Sequence, residues 1–224
     1  MQKIEKKIFV VLKVFILLLL LLTFKSIFIS FFSNNLNNIL KVIIFLISDL
    51  IVIGILLIVY RKTLIKDFKS YFKDFLNNFE QSFKYYIIGL AIMIISNLII
   101  VVFINNQIAS NEESVRSLID IVPLYMIFSV SIYAPITEEL IFRKGIREIF
   151  NNKYLYIISS GIIFASMHLA SENLSLNTLL YIIPYSSLGI TFAYTYYKTN
   201  NIFSTIMLHS FHNTMAIILY LIGG

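Results

Sequence analysis

Apolar runs of roughly span length, parted by short polar stretches, organise the chain. They cover residues 8–32, 39–60, 85–104, 118–150, 154–170, 176–197 and 202–222. Each is near the ~20 residues a helix needs to cross ~30 Å of hydrocarbon. Backbone inside a bilayer must satisfy its own hydrogen bonds, so the runs are predicted to be α-helices. The expected fold is all-α, a polytopic transmembrane helical bundle of about seven spans. The first run follows Lys3, Lys6 and Lys7, as a signal peptide would. It is longer than a signal's apolar region and no small-residue cleavage site follows, so it reads as a retained span.

The pattern changes between the second and third runs. Leu64, Ile65, Phe68, Tyr71, Phe72, Phe75, Phe79 and Phe83 recur at three- and four-residue spacing, with Lys, Asp and Asn between them. This predicts one basic amphipathic helix over 62–84, lying on the cytoplasmic membrane surface as a connector or a docking arm.

Composition agrees with this reading. Hydrophobic residues make up 58% of the chain and charged residues 13%, with mean hydropathy +0.85; soluble domains are about 45–50% apolar and about 25% charged. With 7 Gly and 3 Pro and no internal repeat, the chain reads as one integrated membrane domain. Residues 1–117 hold the N-terminal helices and the amphipathic arm, and residues 118–224 hold the polar chemistry. The absence of cysteine excludes disulfides, thiolate nucleophiles and Cys-ligated metal. The net charge of +6 does not imply nucleic acid. Lys3, Lys6, Lys7, Arg61, Lys62, Lys66, Lys69, Lys73, Lys84, Arg143, Lys144, Arg147, Lys153 and Lys198 fall in alternate segments, 14 of the 18 basic residues. The positive-inside rule then predicts a cytoplasmic N-terminus and an outside C-terminus, with short polar outer loops at 33–38 and 105–117.

Ionisable groups inside hydrocarbon are costly and usually functional. Here they are Glu138, Glu139, Arg143, His168, His209 and His212, joined by Asn213. Glu139 and Arg143 are four apart and share a helix face. Adjacent Glu138 points about 100° away, so one carboxylate can pair with the arginine while the other faces a cavity as a base. Thr137, just after Pro135, is a candidate cap for a break in the span. A hairpin turn near 151–153 leaves Glu138 and His168 each 15 residues from Lys153, at similar depth. His209 and Asn213 share a face of the last run. A carboxylate that takes a proton from water, an opposed histidine, and a histidine–amide pair that donates to an oxyanion together suit peptide-bond hydrolysis.

At these residues the sequence resembles the CPBP family of intramembrane proteases, which includes Rce-type CAAX prenyl endopeptidases and bacteriocin-processing relatives. Its three motifs appear in order: Glu138-Glu139-x-x-x-Arg143, Phe164-x-x-x-His168 and His209-x-x-x-Asn213. The resemblance implies that Glu138 and His168 activate water, that His209 and Asn213 form an oxyanion site, and that Glu139, Arg143 and Phe164 support them. Lys144 stands where bacterial relatives often have Gly. Metal-independent chemistry is expected; if zinc is used, Glu138, His168 and His209 would be its ligands. The expected partners are the lipid bilayer and a membrane-associated peptide or protein substrate. Two other classes share such residues: a proton-coupled transporter, and a non-catalytic membrane protein that binds a peptide or confers immunity.

Overall fold

The computed structural model describes residues 2–32, 36–105, 110–170 and 175–223. The described residues form helices and short connections: α1 (Gln2–Ser30), α2 (Asn38–Val59), α3 (Arg61–Phe72), α4 (Phe75–Ile100), α5 (Ser110–Ile121), α6 (Pro123–Ile149), α7 (Lys153–His168), α8 (Leu176–Leu180), α9 (Ile182–Thr199) and α10 (Ile202–Gly223). Parts of both expected outer loops, at 33–35 and 106–109, lie outside the described residues, as does the C-terminal Gly224. The second of those stretches is not a loop throughout, because α5 begins at Ser110.

Burial is inverted relative to a soluble protein. Asp49, Thr137, Glu139, Arg143, Ser160, Thr195 and Thr205 are all but fully buried, while Ile88, Leu98, Leu124 and Leu219 stand exposed on the outer surface. Polar groups inside and apolar side chains outside are what a lipid solvent selects. Among the described residues, five helices are long and apolar enough to cross a bilayer: Ile4–Ser30, Asn38–Val59, Phe75–Phe103, Pro123–Ile149 and Ile202–Gly223. The expected count of about seven is not confirmed by length and composition. The helix α7 has only 16 residues, and α9 is diluted by Tyr185, Ser186, Ser187, Thr191 and Tyr194 through Tyr197. The helix α9 packs against α7, α4 and α10, and α7 packs against α9 and α6, so polar side chains on those faces meet protein.

Small residues allow that close packing. A Cβ on Gly161 of α7 would lie 2.8 Å from the Ile190 backbone nitrogen of α9, and one on Gly89 of α4 would lie 2.1 Å from Thr191 Oγ1. Between apolar helices in lipid there is no hydrophobic gain from association, so contact of this kind carries the cohesion. At the other edge, α1 and α2 dock through polar contacts. Lys25 Nζ lies 2.8 Å from Asp49 Oδ1, and Tyr125 of α6 donates to Asp49 Oδ2 at 2.9 Å.

The amphipathic stretch 62–84 is not one helix. It breaks at Lys73–Asp74, where Asp74 adopts φ −142° and ψ 65°, and its second half is the first turns of α4. Asn78 closes the break by donating to the Tyr71 carbonyl at 2.8 Å. The periodicity was continuous because Phe72, Phe75 and Phe79 stack across the corner. The α3 helix also starts α10: the Ile202 N–H donates to Asp67 Oδ2 at 2.9 Å, an N-cap supplied from a distant helix. Burial pushes the Asp67 carboxyl above its usual value despite the hydrogen bond and the nearby lysines. A raised folded-state pKa means a contribution that is full below the unfolded pKa and is lost as pH rises through the folded one. Asp67→Asn keeps the acceptor without the charge, so its melting temperature should match wild type near about pH 4 and exceed it at neutral pH. Asp67→Ala should lose about 1 kcal/mol at about pH 4 and less at neutral pH, as thermal unfolding in detergent would show.

Candidate active site

The site is built around a distortion of α6. Ser129–Tyr133 and Glu139–Gly145 are widened turns in which hydrogen bonds span five residues, a geometry that often marks functional positions. Pro135 has no N–H to offer the Val130 or Ser131 carbonyl in the turn before it. Two side chains of α10 take those carbonyls instead: Asn213 Nδ2 donates to Val130 O at 2.8 Å and Ser210 Oγ to Ser131 O at 2.6 Å. The expected break after Pro135 does not occur. Thr137 donates back to the Tyr133 carbonyl at 2.8 Å, and the helix continues.

One turn on, the two carboxylates diverge. Glu139 is fully buried and holds Arg143 Nε at 3.0 Å through Oε2. Its Oε1 lies 2.9 Å from His209 Nδ1. A carboxylate paired with arginine only accepts, so Nδ1 carries the hydrogen. Arg143 is also fully buried; it donates to Ser160 Oγ at 3.0 Å, and its guanidinium lies over the Phe164 ring at 4.7 Å. Ser160 in turn donates to the Phe142 carbonyl at 2.7 Å. Phe192 stacks on His209, with ring centroids 5.2 Å apart.

Glu138 turns the other way, with its side chain 20% exposed and Oε2 3.8 Å from His209 Nε2. It lines a cavity of about 640 Å³ together with Phe164, His168, His209, His212 and Asn213. Three helices thus bring the motif residues to one cavity, while Glu139 and Arg143 lie behind its wall. His168 Nδ1 donates to the Phe164 carbonyl at 3.0 Å, leaving Nε2 as the ring's acceptor. Its ring is held between Phe164 and Tyr185, at 4.4 and 4.7 Å. His212, outside the motifs, lines the same cavity and lies 2.9 Å from the Tyr86 hydroxyl of α4.

Sequence reading missed Ser160, Tyr86 and Ser210. Ser160 was findable, since Ser160, Phe164 and His168 succeed one another at four-residue spacing on one helix face. Tyr86 meets His212 only through tertiary packing, for which the sequence holds no signal. Among the described residues, no group of three or more His, Asp or Glu is gathered as a metal site would need.

The bundle thus places a buried Glu–Arg–His network beside a cavity carboxylate. Residues 120–215 match the model of the family described as Type II CAAX prenyl endopeptidase Rce1-like. Among curated proteins the chain is similar to YdiL of Bacillus subtilis, provisionally named a membrane peptidase, at 34% identity over 50% of this chain and 44% of the relative. It is 29% identical to the membrane-embedded CAAX protease MroQ of Staphylococcus aureus, over 58% of this chain and 53% of that protein. The UPF0177 protein YxdF of Lactococcus lactis is 26% identical over 63% of this chain and 79% of its own length. The match to YdiL and MroQ thus spans about half of each relative. No solved structure matches. Over the segment 120–215 the chain is thus similar to the Rce1-like family and to bacterial membrane proteins named as peptidases or CAAX proteases.

Proposed function

We propose that the chain is an intramembrane endopeptidase whose general base is Glu138. The observation that carries this reading is the split between the paired carboxylates: Glu139 is locked by Arg143 and His209, while Glu138 faces the cavity. Glu138 takes a proton from a water oriented by the His168 Nε2 acceptor, and the hydroxide attacks the scissile carbonyl. Glu138 then returns the proton to the leaving amine, so no group outside the cavity is consumed. The oxyanion is met by donors on α10. Asn213 has two N–H groups and spends one on Val130, which leaves the second. His209 Nδ1–H is committed to Glu139, so its Nε2 donates only in the imidazolium form. No metal takes part in any of these steps.

The substrate is a membrane-associated peptide or protein, such as a small peptide precursor. The N-terminus and α3 are cytoplasmic and the C-terminus is outside, on the strength of the lysine and arginine distribution. Cleavage of synthetic peptides by the purified protein in detergent, lost in Glu138→Gln, tests the reading; equal cleavage by both proteins would defeat it.

Asn213 gives a separate check. Asn213→Ala should lower kcat by about 10²–10³-fold with little change in KM, as removal of a transition-state donor does. If the amide serves only the Val130 carbonyl, the variant will lose melting temperature and keep its kcat.

A further inference from the structure

Among the described residues, the cavity lining extends toward one end of the bundle. From Glu138 and His209 it runs past Asn97, near the end of α4, and Tyr185, in the first turn of α9, to Tyr220 and Gly223 in the last turns of α10. These positions are C-terminal ends of upward-running helices and N-terminal ends of downward-running ones, and so lie at the same end. The helix α5 rims the opening, with Glu112, Val115, Arg116 and Ile119 lining it. It is fixed against α10: Tyr220 donates to Asp120 Oδ2 at 2.9 Å, and the Arg116 guanidinium sits 5.3 Å from the Tyr220 ring centroid.

The opposite end carries the positive charge. There lie the α2–α3 corner with Arg61 and Lys62, the α6–α7 turn with Arg147 and Lys153, and the α9–α10 turn beside Lys198. The α5 rim has Glu112, Glu113 and Asp120 against Arg116. Basic segments are retained on the cytoplasmic side. The cavity mouth is therefore on the other face.

We infer that the site is reached from the outer, non-cytoplasmic face of the membrane, and that its substrates are polypeptides presenting the scissile segment there: exported peptide precursors, or the outer juxtamembrane part of a membrane protein. This rests on the protease reading for its substrate class, whereas the side of access stands on geometry and charge alone. A polypeptide confined to the cytoplasm would meet the closed end, where Asp67 and Asn201 bind α3 to the start of α10.

The chain has no cysteine, so a single introduced thiol is a unique reporter. Ala216→Cys, on the cavity wall one turn beyond His212, and Lys69→Cys, exposed on α3, are made separately in the Glu138→Gln background. Labelling therefore does not depend on turnover. A membrane-impermeant maleimide should label Ala216→Cys in intact cells and Lys69→Cys only in inside-out vesicles. Labelling of Ala216→Cys only in inside-out vesicles, or in neither preparation, overturns outer-face access, as does labelling of Lys69→Cys in intact cells. Peptide cleavage in detergent, where both faces are open, fails or succeeds independently and judges the protease reading by itself.

Discussion

Replacing Glu138 with Gln should lower peptide cleavage by about 10²–10⁴-fold, the usual contribution of a positioned acid–base group, and leave the bundle folded. The two halves of that expectation have separate causes. The amide cannot accept the proton of water at neutral pH, so the chemical step loses its base. The fold loses little, because Glu138 faces a cavity and the His209 Nε2 beside it is 3.8 Å away, beyond hydrogen-bond reach. KM should change little, since the shape of the cavity is kept. Steady-state cleavage and a thermal melt on the same preparation decide the matter. A variant that retains most of its activity would place the base elsewhere; one that fails to fold would show that Glu138 is structural.

Arg143→Ala should behave in the opposite manner, with a loss of about 3–5 kcal/mol of stability, the cost of stranding one partner of a buried ion pair. Its guanidinium is fully buried between Glu139, Ser160 and the Phe164 ring. Truncation leaves the Glu139 carboxylate with the His209 Nδ1–H but no guanidinium, and empties the volume of the largest fully buried side chain among the described residues. Arg143→Lys is the more informative variant. It keeps the charge but cannot reach Glu139 and Ser160 together from one planar fork, so it should recover part of the melting temperature. Activity should follow the position of the His209 ring, which Glu139 holds. A melting temperature for Arg143→Ala equal to wild type would mean that the pair is not the lock the geometry describes.

Much of this site was legible from spacing. The four-residue separation of Glu139 and Arg143 put them on one face, and the structure pairs them at 3.0 Å. The divergence of Glu138 from Glu139 followed from helical periodicity and is present, with one in the cavity and one in the wall. The all-helical membrane fold followed from hydropathy. Other features depend on contacts between distant segments. The corner at Lys73–Asp74 was hidden because the aromatic stripe runs through it without a change of phase. The helices α7 and α9 were read as spans from apolar content; their packed faces meet other helices, which tolerate Tyr, Ser and Thr that lipid would disfavour, while Ile158, Ile162 and Ile183 stay exposed. The Val130 carbonyl held by Asn213 could not be read at all, since the contact joins Val130, left without a helical donor by Pro135, to a side chain 83 residues further along the chain.

The widened turns of α6 also set an angular phase. A five-residue hydrogen-bond span absorbs about one extra residue in a turn, and each residue of an α-helix is worth about 100° of rotation. The face that α6 shows to α1 and α2 before Ser129 and the face it shows to α10 after Pro135 are thus decoupled by a fixed offset. A one-residue deletion in 129–133 that regularised the helix would keep every side chain named here and still turn Tyr125 away from Asp49, or Glu138 away from the cavity. Along this stretch, chain length is constrained as tightly as residue identity.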